Sequence, residues 1–283
     1  MIKQPSLFDI AGRFWPRVAF AAMSLLCFTI THAAAQSDDL AALFAPGTVY
    51  SVGMLTGAGP RFQGARRAAL WGLPYASFRR VDEAPEWWSP DDALDTTLFD
   101  AGPVHIGPAL DFREGRSARD LNGIAGVPTL PLTVGLGLFG ELWLVDNRVR
   151  LRAEITQGLR PHDGIVAKLG ADLIGRFGRF TLSGGPRFVL ADTAAMRLDF
   201  DVPLRAALSP PDLLPYRAKA GLRSAGGSTS LAYDWSDAWQ TLVYVRYDRL
   251  VSEAARSPIV RRLGTTDQLS FGIGGIYTFR TGP

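Results

Sequence analysis

Asp267-Gln268-Leu269-Ser270-Phe271-Gly272-Ile273-Gly274-Gly275-Ile276-Tyr277-Thr278-Phe279 decides the fold. Leu269, Phe271, Ile273, Tyr277 and Phe279 fall on one parity, and Gln268, Ser270, Gly272, Gly274 and Thr278 on the other. A period of two describes an extended strand with one apolar face and one small, polar face. Strands of soluble sandwiches usually run about five or six residues, whereas a tilted strand crosses a bilayer in about 9–11. The closing aromatics stand where such a strand meets the membrane interface.

Working back along the chain, the same alternation recurs. Tyr50, Val52 and Met54 share a parity, as do Trp71, Leu73 and Tyr75. Val104, Ile106, Leu110 and Phe112 oppose His105, Asp111 and Arg113, and Val149, Leu151, Ala153 and Ile155 oppose Arg148, Arg150, Arg152 and Glu154. Similar runs cover 131–144, 165–173, 179–190, 216–223, 228–235 and 239–248, with a weaker one at 94–101. The pattern predicts an all-β chain, an antiparallel up-and-down transmembrane β-barrel of about twelve strands. Periodicity alone does not say which face meets water. Strand length, the aromatics Trp71, Tyr75, Trp235, Trp239, Tyr247 and Tyr277 near strand ends, and the leader described next favour lipid on the apolar face. The alternative is a periplasmic sandwich or lipocalin-like fold.

The first residues read as a cleavable secretory signal. Arg13 and Arg17 precede the apolar run Val18–Ile30, and an Ala-rich exit follows, with cleavage expected after Ala35 or else Ala33. The domain division is thus 1–35 signal and 36–283 barrel. Cys27, the only cysteine, lies in that leader behind Leu26, a poor setting for acylation. Without it no disulfide or thiolate metal site can form. The formal charge of +3 falls to about +1 once the leader's basic residues are set aside, so nothing calls for nucleic acid.

Candidate chemistry is sparse. His105 shares a polar face with Asp111 and Arg113, but no motif surrounds any serine, so a barrel hydrolase acting on lipid is the weakest reading. His162 lies in the turn-like Pro161-His162-Asp163-Gly164, and two histidines without a carboxylate cluster do not make a zinc site. No catalytic residue, cofactor or metal is expected. The polar faces say more as a set. Arg113, Arg148, Arg150, Arg152, Lys168, Arg179, Arg187, Arg217, Lys219, Arg223 and Arg246 stand against Asp111, Glu154, Asp172, Asp234 and Asp248. The expectation is a basic interior, either internally paired or favouring anions.

Several stretches resemble the MltA-interacting protein (MipA/OmpV) family. Gly59-Pro60-Arg61-Phe62-Gln63-Gly64 is similar to its early loop, Pro74-Tyr75 to its second strand, and Gly107-Pro108-Ala109-Leu110 with Gly115-Arg116 to its "GPAL…GR" segment. Tyr247–Leu250, Ser257-Pro258-Ile259-Val260 and Tyr277-Thr278-Phe279 resemble its C-terminal signature, although four residues follow Phe279 here. The resemblance implies a protein of the bacterial outer membrane, surrounded by its lipid, that scaffolds periplasmic murein enzymes, a lytic transglycosylase and a murein synthase. The runner-up is a small-solute channel or ligand-binding barrel. If the amino terminus is periplasmic, the strands as read put 81–93, 114–130 and 191–215 on the periplasmic side. Trp87 and Trp88 are then either a partner contact or an interfacial anchor.

Overall fold

The structure, a computed structural model, describes residues 47–280 apart from 84, 86, 122–126, 128 and 208–212. The expected leader and its cysteine lie outside the described residues. The strands are β1 (Thr48–Pro60), β2 (Ala68–Arg80), β3 (Leu94–Asp95), β4 (Phe99–Ala101), β5 (Val104–Arg113), β6 (Thr133–Val145), β7 (Val149–Gly158), β8 (Ile165–Phe177), β9 (Phe180–Ala191), β10 (Gly221–Asp234), β11 (Trp239–Leu250) and β12 (Asp267–Arg280). Among the described residues three short α-helices, α1 (Thr193–Phe200), α2 (Leu204–Ala207) and α3 (Ser252–Arg256), lie in the connections, with a 3-10 turn at Ala118–Leu121 and a π turn at Ile259–Leu263.

One antiparallel sheet runs β2-β1-β12-β11-β10-β9-β8-β7-β6-β5, with β3 and β4 sharing the last edge. The first and last long strands pair, from Val49↔Arg280 to Ala58↔Phe271, which curls the sheet into a barrel. The side chains settle which face meets lipid. Along β7, Arg150, Arg152 and Glu154 are 1%, 7% and 4% exposed, whereas Leu151 and Ile155 are 41% and 57% exposed. Charge is inside and hydrocarbon outside, the inverse of a soluble sandwich. Burying that many ionic side chains in a water-soluble protein while exposing the aliphatic ones would be strongly unfavourable, and lipid reverses the sign.

An interfacial girdle forms around the rim at which β1 begins. Tyr50 stacks on Phe279 at 5.5 Å, Tyr277 lies 4.8 Å from Trp239, and Tyr233 contacts both Phe180 and Trp235 at 4.7 Å. Two of the expected girdle residues belong elsewhere. The β1–β2 register pairs Trp71 with Gly57 and Tyr75 with Gly53, which turns both rings inward. Trp71 lies 5.8 Å from Tyr244 of β11. Glycine makes this possible, because a Cβ on Gly57 or Gly272 would sit 2.6–2.8 Å from the Trp71 ring.

Two strand readings change. Residues 216–220 precede the sheet, and 221–234 form one continuous strand with a register shift between Leu222 and Ser224. The weak run 94–101 splits into β3 and β4. Leu98 N–H donates to the Ile106 carbonyl, so β5 turns that side to its neighbour, and two residues on Pro108 has no N–H to offer there. The Thr96 carbonyl folds over Gly107, where any Cβ would overlap it.

The side of each loop also changes. Strand directions put the turns 102–103, 146–148, 178–179 and 235–238 on the rim where Thr48 lies, and 61–67, 114–132, 159–164, 192–220 and 251–266 on the other. Segments 114–130 and 191–215 therefore lie on the rim away from the amino terminus, contrary to expectation. The error traces to 81–93, read as a loop confined to one side. β2 ends at the Thr48 rim, yet Leu94 pairs with Leu110, well toward the other, so the chain between climbs through the barrel. We call this segment the strap. Both β2 and β3 run down to the Thr48 rim, and among the described residues no ladder joins β2 to β3 or β4.

Candidate functional site: the barrel interior

Six of the expected lumen cations point inward, namely Arg113, Arg150, Arg152, Lys168, Arg187 and Arg246. Arg150 is the hub. Its guanidinium donates to Asp172 (2.8 Å), Glu141 (3.1 Å) and Asp92 (2.9 Å). Arg152 donates to Glu154 at 2.8 Å and Glu141 at 3.0 Å and pairs with Asp95, its guanidinium 4.3 Å from the Phe139 ring centre. Arg187 donates to Asp172 at 2.6 Å and to Asp91 at 2.8 Å, and Arg246 reaches the same Asp91 at 3.0 Å and Asp248 at 2.5 Å. Lys168 bonds Asp111 at 2.6 Å, and Arg113 donates to Thr156.

The remaining expected lumen residues lie elsewhere. Arg148 and Arg179 are exposed in turns, and Arg179 donates to the Trp235 carbonyl. Arg217 and Lys219 are exposed in the connection before β10, and Arg223 sits at the far mouth, 3.8 Å from Asp199. For Arg148, Arg179, Arg217 and Lys219 the period of two had been carried past the strand ends, and Arg223 falls at the register shift between Leu222 and Ser224. Against the six inward cations stand Asp111, Glu141, Glu154, Asp172 and Asp248 of the wall, and Asp91, Asp92 and Asp95 of the strap and β3. The interior is not basic, since eight carboxylates face six cations among the described residues.

Sequence reasoning missed the strap acids, although their signal was present. Ser89-Pro90-Asp91-Asp92 is a turn sequence with proline at its second position. Ser89 N–H donates to the Asp92 carboxylate at 3.0 Å and Ser89 Oγ–H to Asp91 at 2.5 Å, so one tight turn holds both acids ready for the wall. The preceding tryptophans are tucked inside, not displayed on a loop surface. Trp88 stacks on Tyr75 at 4.6 Å and packs against Leu55, Ala232 and Leu242. Trp87 stands edge-on to Trp143, with the Arg150 guanidinium 4.6 Å from its ring centre. The space left among Asp91, Arg150, Lys168, Arg187 and their neighbours is about 20 Å³, room for about one water molecule.

The far mouth is roofed. Phe62, Leu121, Val202, Leu213 and Ile259 form one buried apolar cluster, and Met196, Phe200, Ala254 and Val260 another, so four connections from around the barrel meet over its opening. Much of the family-like signature gathers here. Arg116, 3% exposed, donates to the Leu198 and Asp199 carbonyls at the end of α1 and lies 5.8 Å from the centre of the Phe62 ring. Ser257 Oγ–H donates to the Phe200 carbonyl at 2.7 Å, just ahead of Pro258 and the turn Ile259–Leu263. Gly64, at φ +92°, faces Val260 too closely for a Cβ, and Gly115 is as tight against Leu130. Gly59 and Pro60 end β1, and Gly107 and Pro108 mark the β3–β4 break described above. These residues build the fold and bring no reacting group together.

The histidines have structural partners. His105 Nδ1 is 3.1 Å from Glu141, with Asp100 3.6 Å from Nε2, and His162 Nε2 is 2.7 Å from the Pro131 carbonyl. Among the described residues no three His, Cys, Asp or Glu side chains are placed to hold a metal ion.

With this geometry in hand, the comparisons are direct. The family model for MltA-interacting protein MipA matches residues 52–279, nearly the whole barrel. The chain belongs to the MltA-interacting protein MipA family. As a MipA-family member it is an outer-membrane β-barrel. No curated protein matches it. Among solved structures, the outer membrane protein OprG from Pseudomonas aeruginosa is similar at 12% identity and TM-score 0.26, with 83% of this chain and 97% of that one covered. An outer membrane channel from Pseudomonas putida F1 is 8% identical at TM-score 0.36, over 83% of this chain and 96% of that one. At such scores neither says what a MipA-family barrel binds or passes.

Proposed function

We infer that this chain is a non-enzymatic outer-membrane scaffold, a barrel shut to solutes that holds periplasmic murein enzymes at the membrane. The observation carrying this reading is the filled interior, with the strap and β3 together paired to four arginines of the wall and apolar connections roofing one mouth. Such a barrel suits anchoring better than free passage. The family name supplies the partner class, a lytic transglycosylase, to which the family resemblance adds a murein synthase. Outer-membrane barrels keep their short turns in the periplasm. The rim of short turns, which carries Trp235 and Trp239, is then the surface offered to such a partner.

Affinity capture tests this. The full chain in detergent, incubated with a purified lytic transglycosylase, should retain it. Substitutions in the turn 235–238 should weaken retention, while those in 61–67 on the opposite rim should not. Retention equal to that of an unrelated barrel would overturn the reading. A planar bilayer holding the unchanged chain should show no steady current, and a stable ohmic conductance would contradict the shut lumen.

A further inference from the structure

The interior has two unlike walls, and the strap presents a different group to each. On one side β2, β1, β12 and β11 turn in Trp71, Tyr75, Leu55, Ile276, Leu242 and Tyr244. On the other, β5 to β9 turn in the arginine and carboxylate network, which Arg246 and Asp248 near the far end of β11 complete. Trp88 lays its indole on the apolar wall, stacked on Tyr75. Asp91, three residues on, bridges Arg187 and Arg246, and Asp92 caps Arg150. A flat apolar ring tied to a carboxylate is thus held by aromatic stacking at one end and paired guanidinium donors at the other.

We propose that the barrel interior is a binding site for amphiphilic carboxylates, molecules with an aromatic or aliphatic body and one carboxylate, and that the strap occupies it as an intramolecular stand-in. The fit of each half is specific. Two guanidiniums converging on one carboxylate are a recognition element for an oxyanion, and each is held in place for it by a second carboxylate of the wall, Asp172 under Arg187 and Asp248 under Arg246. The apolar wall offers rings spaced for stacking, which a simple inorganic anion cannot use. A tethered occupant also explains the small residual space. Its effective concentration is high because both ends are joined to the walls, β2 before and β3 after, so a free ligand competes only when the strap leaves.

Indole-3-acetate reproduces the indole and the carboxylate in one molecule and is the probe. Its binding to the full chain in lipid nanodiscs is measured by equilibrium dialysis. The unchanged chain should bind weakly. The strap variant Trp88→Ala/Asp91→Asn/Asp92→Asn should bind at least about tenfold more tightly, as removal of a tethered competitor requires. Adding Arg187→Gln and Arg246→Gln to it should abolish the gain. Indole alone or acetate alone should compete poorly. A strap variant that keeps the heat-modifiable gel mobility of a folded barrel yet binds no better than the unchanged chain would overturn the proposal. Equal competition by indole alone would overturn it too, by reducing the site to a greasy surface. A milder variant guards against misfolding. Ser89→Cys, the sole thiol once the leader is absent, should react faster with a maleimide when indole-3-acetate is added, and an unchanged rate at high probe would count against release of the strap. Enzyme capture is read separately on the unchanged chain, so either idea can fail without the other.

Discussion

The charged wall and the apolar wall of the interior hold the same strap by different physics. On the charged side, Arg150 sits among three carboxylates at about 3 Å with almost no exposure, where each ion is tolerable only because its partners are in place. On the apolar side, Tyr75 meets Trp88 and Trp71 meets Tyr244 through ring contacts that need no exact partner and degrade gradually when trimmed. One wall is therefore brittle and the other forgiving. The difference teaches that ion pairing fixes where the strap sits, while the rings supply adhesion.

The largest test of that contrast is Arg150→Met. It removes the donor that Asp92, Glu141 and Asp172 share, leaving Glu141 to Arg152 and Asp172 to Arg187, and should cost roughly 3–5 kcal/mol in urea unfolding from vesicles. A loss below about 1 kcal/mol would mean that the network is dispensable. Leu138→Arg, on the lipid face of β6 beside the inward Phe139, asks whether inside and outside are correctly assigned. A cation at that depth should cost about 2–4 kcal/mol. An unchanged midpoint would place that face in water.

Trp71→Ala probes the forgiving wall and should cost about 2–3 kcal/mol, below a fully buried aromatic because the ring is only partly enclosed. Combined with Arg150→Met, the two losses should add within about 0.5 kcal/mol, since the residues share no partner. A larger coupling would mean that the walls communicate through the strap. The smallest effect lies in the roof. Burial works against the Asp120 carboxylate, but Ser117 and Arg61 outweigh it and hold its pKa below the ordinary value. A depressed carboxylate adds stability that is present above its unfolded pKa and lost as pH falls through the folded one. Proteolytic clipping of 114–132 should rise slightly in acid below about pH 4, and Asp120→Asn should remove that dependence.

Much of the fold was legible because a period of two survives any uncertainty about partners. β7 and β12 were readable end to end, their alternation uninterrupted by proline. The strap was not. Pro85, Pro90 and five acids within Val81–Ala93 give no period, and composition of that kind reads as an outward loop. The register of Leu94 on Leu110 and the pairing of Asp91 and Asp92 with inward arginines reveal that it passes inside. The same blindness produced the supposed basic lumen. Arg150, Arg152 and Arg187 were identifiable as inward cations, but of their counterions Asp91 and Asp92 come from the segment without a pattern and Asp95 from the weak run after it. Trp71 and Tyr75 misled for another reason. Strand periodicity groups residues by side and is silent on which side is in, and the rings of Trp71 and Tyr75 on β2 face inward.

β2 and β3 descend in the same direction, and this has a consequence for how the cylinder can close. A ring of walls that alternate up and down needs an even number of them, and β3 with β4 counts as one, so this ring has eleven. Somewhere two neighbours must point alike, and no local repair of hydrogen bonds there can restore alternation. The missing upward pass exists in the chain, but it travels through the hollow instead of completing the wall. The stopper and the unzipped seam are thus one topological fact seen from two sides, and a change that moved the stopper outward would be felt first along that seam.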